Sequence, residues 1–118
     1  MLELKDFEEA KKRVDEVIIP TPLIYSPAFS KECRNMVYIK PENLQRTGAF
    51  KIRGAYNKIM KMDDESKSRG LIASSAGNHA QGVAYAAQQL GVKATIVMPA
   101  HTPLIKVDAT KALGAEVV

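Results

Sequence analysis

Cys33 is the chain's single cysteine, so no disulfide can form within it and a reducing compartment is the expected setting. No apolar run approaches the roughly 20 residues that a membrane-spanning helix needs. No stretch of lysine and arginine alternates with aromatics either. The 17 basic residues are interspersed with 13 acidic ones, for a formal charge of +4, the pattern of a solvated surface and not of a nucleic-acid footprint. Histidine, cysteine, aspartate and glutamate nowhere cluster at metal-ligand spacing. Internal repeats and low-complexity linkers are missing too. The first residues, Met1-Leu2-Glu3-Leu4-Lys5-Asp6, are too acidic and too poor in apolar side chains for a signal peptide. What these absences leave is a cytoplasmic protein with no membrane, nucleic-acid or metal partner. Its 118 residues are 46% hydrophobic, enough to build a core in one domain or part of one.

The first third of the chain reads as mixed structure. Phe7, Ala10, Val14, Val17 and Ile18 fall on one helical face, with Asp6 and Glu9 as a capping-box start and Pro20 as the stop. Pro20-Thr21-Pro22 continues as extended chain, and the surroundings of Pro27 suggest a loop or a broken helical turn. Met36-Val37-Tyr38-Ile39-Lys40 is a short strand ended by Pro41, and Pro41-Glu42-Asn43-Leu44-Gln45-Arg46 follows as an irregular segment. A helix is expected over 51–62, dissolving into the charged run 63–70, which reads as a solvated turn.

From Gly70 onward the pattern is regular. Leu71-Ile72-Ala73-Ser74 is a strand, and a helix over 78–90 should bury His79, Val83, Ala86, Ala87 and Leu90 before Gly91 ends it. Ala94-Thr95-Ile96-Val97-Met98 has the continuous apolar character of a strand covered on both faces. Thr102 as cap and Pro103 at the first position open a further helix, packed through Ile105, Ala109, Ala112 and Leu113 and stopped at Gly114. Ala115-Glu116-Val117-Val118 begins another strand. This βαβαβ succession predicts an α/β fold with an open parallel sheet, incomplete at its C-terminal end.

Two stretches carry chemistry. In Thr47-Gly48-Ala49-Phe50-Lys51-Ile52-Arg53-Gly54-Ala55 a turn opens directly into a helix, with Ile52, Ala55, Tyr56, Ile59 and Met60 as its buried stripe. Lys51 then stands at the positive end of a helix, where the field disfavours the ammonium form. An amine so placed and partly desolvated is suited to attack an aldehyde. In Ser74-Ser75-Ala76-Gly77-Asn78-His79-Ala80-Gln81-Gly82 a parallel strand ends and a helix begins, which is where open α/β sheets bind ligands. Small residues there let backbone N–H groups approach an anion at the helix start. Equally, Ser75 and Asn78 are residues that simply cap helices. The glycine spacing matches neither G-x-G-x-x-G nor the P-loop.

Taken together, the two stretches resemble the threonine dehydratases (threonine ammonia-lyases). These are pyridoxal-phosphate enzymes of the tryptophan-synthase-β-like fold, fold type II, closely related to serine racemases. The resemblance runs from the first helix and Thr21-Pro22-Leu23 to Lys111-Ala112-Leu113-Gly114-Ala115. It implies that Lys51 binds pyridoxal 5'-phosphate covalently and acts as the catalytic base. Asn78 then hydrogen-bonds the cofactor's phenolic oxygen, Phe50 belongs to the cofactor site, and Ser75, Ala76, Gly77, Asn78 and His79 cradle the substrate carboxylate. The implied reaction is β-elimination of threonine to 2-oxobutanoate and ammonia, or of serine to pyruvate, in isoleucine biosynthesis or threonine catabolism, by a homo-oligomeric enzyme.

Lys51-Ile52-Arg53 and Ala76-Gly77-Asn78-His79 suit the dehydratase and racemase branch, where cysteine and threonine synthases show Lys-Asp-Arg and a Ser-Gly-Asn-Thr type loop. Racemases carry a serine where this chain has Ala76, and a methyl group cannot accept a proton. Ala49 replaces a serine common in the family. The resemblance also implies a division into 1–48, belonging to a larger domain, and 49–118, the front part of a smaller α/β domain. It places the phosphate-binding loop and the partner of the pyridine nitrogen downstream of residue 118. Three other readings stand beside the dehydratase: a non-catalytic N-terminal fragment needing a downstream half, a serine racemase, and an anion-binding α/β module without covalent chemistry. On its residues alone His79 is a packed histidine, Arg53 a structural residue, and His101 a loop residue.

Overall fold

The computed structural model describes residues 1–118. Helix α1 (Leu4–Val14) begins where the Glu3 N–H donates to Asp6 Oδ2 at 2.8 Å, so Asp6 closes the cap and does not open it as the Asp6–Glu9 pairing suggested. It stops at Val14, well before Pro20. Val17 is therefore buried from the turn that follows, while Phe7 stays 60% exposed.

Strands β1 (Ile24–Tyr25) and β2 (Tyr38–Ile39) pair antiparallel, Tyr25 opposite Tyr38, their rings edge-on at 5.5 Å. β1 follows the Pro20-Thr21-Pro22 stretch read as extended chain and is not itself expected from the sequence. Between them, where a loop or a broken helical turn is expected, stands helix α2 (Pro27–Cys33), with Pro27 in the first turn, where its missing N–H costs nothing. Ile24, Tyr25, Phe29, Met36, Tyr38 and Ile39 are all exposed, so this unit lies outside the core.

Helix α3 (Lys51–Met60) runs as expected. The charged run after it is helix α4 (Asp64–Arg69) and not an open turn, because Asp63 Oδ1 accepts the Ser66 N–H at 2.7 Å and caps it. Strands β3 (Leu71–Ser74), β4 (Ala94–Val97) and β5 (Glu116–Val117) form one parallel sheet in that order, joined by α5 (Asn78–Gln89) and α6 (Leu104–Ala112). Gly91 and Gly114 follow their helices with φ of 65° and 82°, left-handed positions that favour glycine.

The core sits where α3 lies on α5. Ile52, Ala55, Tyr56 and Ile59 meet Ala80, Val83, Ala84, Ala86 and Ala87, over Ala94 and Ile96 of β4, Met98 just past it, Val14 at the end of α1 and Val17 in the turn after it. The alanines let the two helices approach closely, and that closeness fixes where α3 begins. Ile52 is 0% exposed, so Ile52→Ala should destabilise the protein by about 2–5 kcal/mol, measured by chemical denaturation.

Several faces are turned differently from the expected ones. β4 is covered on one face only: Ala94 and Ile96 are buried but Val97 is 40% exposed, and Ile72 of the neighbouring strand is 80% exposed. In α6 Ile105 is 75% exposed and the buried residue is Thr110, whose hydroxyl donates to the Lys106 carbonyl at 2.8 Å. Its cap is Pro103, because the Thr102 hydroxyl donates to the Pro99 carbonyl at 2.7 Å instead. Met60 is 37% exposed, at the margin of the α3 stripe. The radius of gyration, 16.6 Å, exceeds the roughly 13.5 Å of a compact domain of this length. These residues form a slab with open apolar faces.

Candidate functional site

Lys51 is the first residue of α3. Phe50 precedes it with helical dihedrals, and no side chain caps the helix start. The Lys51 backbone lies directly on α5. A Cβ built on Gly82 would stand 3.0 Å from Lys51 C, 3.0 Å from Lys51 Cβ and 3.2 Å from Ile52 N. No larger residue fits at position 82 without moving the start of α3. Gly82 is one helical turn, about 6 Å of rise, past Asn78, so the packing brings Lys51 beside the first turn of α5. The Lys51 side chain is exposed, its Nζ 5.1 Å from the Phe50 ring centroid, close enough for a cation–π contact. The partial desolvation expected of it is not supplied by these residues, because α5 covers the Lys51 backbone and Ile52 but leaves the Lys51 side chain exposed.

The start of α5 is open as well. Gly77 is the cap residue, and no side chain accepts from the first turn. Ser75, expected among the caps, instead takes the Gly77 N–H on its Oγ at 3.2 Å, while its own N–H donates to the Val97 carbonyl at 3.1 Å. The first N–H groups of a 12-residue helix are thus free to meet an anion. Asn78 and His79 are exposed; Ser75, Ala76 and Gly77 are half-buried. His79, expected inside, borders an apolar hollow of about 280 Å³ between α3 and β3. None of the chain's hollows is lined by Lys51, Ser75, Ala76, Gly77 or Asn78, so no cavity formed by this chain encloses them.

A polar cluster is built around Arg53, two residues past Lys51 on α3. Arg53 Nε and Nη2 donate to the two carboxylate oxygens of Glu42 at 2.9 and 2.7 Å. The Thr21 hydroxyl donates to Glu42 Oε1 at 2.5 Å and accepts from Arg53 Nη2 at 3.2 Å, and Lys40 Nζ donates to the Thr21 carbonyl at 2.6 Å. Arg53 is structural, as expected; Glu42, Thr21 and Gln45 were not singled out by sequence. A carboxylate eleven residues from its arginine leaves no local pattern to read. The hydrogen bonds from Arg53 are the largest cause holding the Glu42 carboxyl at about 2, below its ordinary 4.5; burial opposes them, and Thr21 and the Arg53 and Lys40 charges reinforce them. A depressed carboxyl stabilises the fold fully above its unfolded value, and that contribution drains as pH falls from 4.5 towards 2. Glu42→Gln should therefore lower the denaturation midpoint at pH 7, and the gap to wild type should close across that acid window.

The donor set suits pyridoxal 5'-phosphate on its chemistry: an accessible primary amine for an aldehyde, a carboxamide at Asn78, and unpartnered helix-start N–H groups for an anion. The model of the pyridoxal-phosphate-dependent enzyme family matches residues 14–118, and the chain belongs to that family. Among its relatives, the L-threonine ammonia-lyase of Thermotoga maritima is 52% identical over 118 residues, covering 100% of this chain and 29% of the relative. A serine racemase structure from Dictyostelium discoideum aligns over 99% of this chain and 38% of its own, with a TM-score of 0.93 at 39% identity. The processed form of threonine deaminase isoform 2 from Solanum lycopersicum aligns over 99% and 34%, with a TM-score of 0.83 at 42% identity. The chain spans about a third of the length of these relatives. The α/β architecture with its parallel sheet is that of the fold type II pyridoxal-phosphate enzymes.

Proposed function

We propose that this chain supplies the lysine-bearing part of a pyridoxal-phosphate-dependent threonine ammonia-lyase, converting threonine to 2-oxobutanoate and ammonia and serine to pyruvate and ammonia. The observation that carries the reading is Lys51 at the start of α3, seated on Gly82 beside the uncapped start of α5, in a chain 52% identical to an L-threonine ammonia-lyase. When bound, pyridoxal 5'-phosphate supplies an electron sink for the charge left at the substrate Cα. Lys51 Nζ would hold the cofactor at its aldehyde carbon and, when free, would accept the substrate's Cα proton. Asn78 would hydrogen-bond the cofactor's phenolic oxygen, and Phe50 would flank the site. The residues 75–79 orient the substrate by receiving its carboxylate at the N–H groups of the α5 start. In this reading residues 1–48 belong to a larger domain, 49–118 to a smaller one, and the remaining wall of the site comes from residues outside this chain. A cytoplasmic setting is in keeping with the unpaired Cys33.

Serine racemisation is the second reading, favoured by the TM-score of 0.93. Backbone likeness does not separate the two chemistries, whereas a proton acceptor on the opposite cofactor face does. Ala76 offers a methyl group there, which supports elimination. The full-length protein, loaded with cofactor, is expected to release 2-oxobutanoate from L-threonine. Accumulation of D-serine without oxo-acid would favour the racemase, and no turnover of either amino acid would contradict both.

A further inference from the structure

The segment that leads into Lys51 is held in an unfavourable shape. It passes through two short 3-10 turns, Glu42–Leu44 and Arg46–Gly48. Thr47 has φ 61° and ψ 14°, and Gly48 has φ 67°. Glycine takes such a conformation freely, but a β-branched threonine does so only under constraint. The Thr47 hydroxyl is also buried with no hydrogen-bond partner. Backbone of this kind persists where its surroundings over-determine it.

The surroundings here are two sets of bonds, one on each side of the turn. Gln45, 4% exposed, accepts on Oε1 from the Ile19 and Arg46 N–H groups at 2.8 and 2.9 Å. Its Nε2 donates to the Ile19 carbonyl at 2.8 Å. Glu42 and Arg53 then close the loop, since Arg53 lies on α3 two residues past Lys51 and grips both oxygens of a carboxylate nine residues before it. A two-pronged arginine–carboxylate pair fixes orientation as well as distance. Gly82 is packed against the Lys51 and Ile52 backbone at the start of α3.

We propose that Glu42 is a positioning residue for Lys51: through its two-pronged bond to Arg53 it locks the strained 45–50 turn and so sets where the lysine leaves α3. The inference rests on the function proposed above, in which Lys51 is the cofactor-bearing amine. It differs from a plain structural role in what its loss disturbs. A structural pair, once broken, loosens α3 and α5 together, whereas a clamp on the turn releases residues 46–50 and misplaces the amine while the α3–α5 core stays closed.

The test uses the full-length protein as wild type, Glu42→Gln, Arg53→Lys and the double variant. Hydrogen exchange is followed peptide by peptide. In parallel each protein is stripped of cofactor and remixed with pyridoxal 5'-phosphate, then quenched with borohydride at intervals and mapped for the pyridoxyl group on Lys51. Glu42→Gln should speed exchange over 46–50 by about tenfold beyond whatever rise its lower global stability gives the α5 amides, the effect of losing one charge-assisted hydrogen bond. Labelling of Lys51 should slow by roughly 10- to 100-fold, the range expected for a reacting group displaced by about an ångström. The double variant should be no worse than either single one, as for two residues acting through one bond. Exchange and labelling like wild type, or exchange over 46–50 rising no more than over α3 and α5, would overturn the proposal while leaving the lyase reading intact. A wild-type protein that takes no label on Lys51 would overturn both.

Discussion

Replacing Lys51 by alanine in the full-length protein is expected to abolish threonine elimination, with kcat falling by roughly 10⁴-fold. That is the upper end of what one positioned base contributes, and it applies because the same amine also holds the cofactor. Lys51→Arg should rescue nothing: a guanidinium keeps the charge but stays protonated and cannot attack an aldehyde. Both variants should fold. Lys51 is exposed and its side chain makes no hydrogen bond within the chain; the contact it gives up is the one with the Phe50 ring at 5.1 Å. Oxo-acid release followed by absorbance, with the denaturation midpoint measured alongside, separates lost chemistry from lost structure. An alanine variant that turns over threonine within tenfold of wild type would remove Lys51 from the mechanism.

Gly82→Ala is the second large effect. The added methyl group would sit 3.0 Å from two Lys51 atoms and 3.2 Å from the Ile52 nitrogen, and the nearest of these are backbone or Cβ, which cannot swing aside as a side-chain tip can. Alanine is the better helix former by about 1 kcal/mol, so helix propensity alone would make the variant more stable. We expect the opposite sign: overpacking costs about 1–3 kcal/mol, and a lysine moved by a fraction of an ångström costs up to about tenfold in kcat/KM, short of the roughly 100-fold of a full ångström. Stability and kcat/KM both unchanged would mean that α3 and α5 are not pressed together as described.

Sequence reasoning located these residues unevenly, for physical reasons. The α3 stripe and the β3–α5–β4 succession were legible because apolar spacing at 3.6 residues and short β-branched runs are local signals. Lys51 at a helix start could be read in the same way. Helix α4 was missed because its six residues, Asp-Glu-Ser-Lys-Ser-Arg, have no apolar face and are held by the Asp63 cap. Helix α2 was masked by Pro27, a residue that breaks helices everywhere except where it stands here.

The misjudged faces have a common origin. His79, Ile105 and Met60 were assigned to the interior by type and spacing, but the side on which a helix is covered depends on its neighbours. The exposure of Lys51 has the same cause. Periodicity names a stripe and cannot say what lies over it. The Glu42–Arg53–Thr21 cluster was beyond local reading because its members come from three separated segments. Gly82 did carry a signal, a glycine inside an alanine-rich helix, which points to close backbone approach.

The central claim is that one amine, at the start of α3 and against α5, captures the cofactor. Borohydride reduction of the full-length protein with pyridoxal 5'-phosphate, followed by peptide mapping, tests it most directly. A pyridoxyl group on Lys51 alone is the predicted result. Label spread over the surface lysines, or concentrated on any lysine other than Lys51, would contradict it.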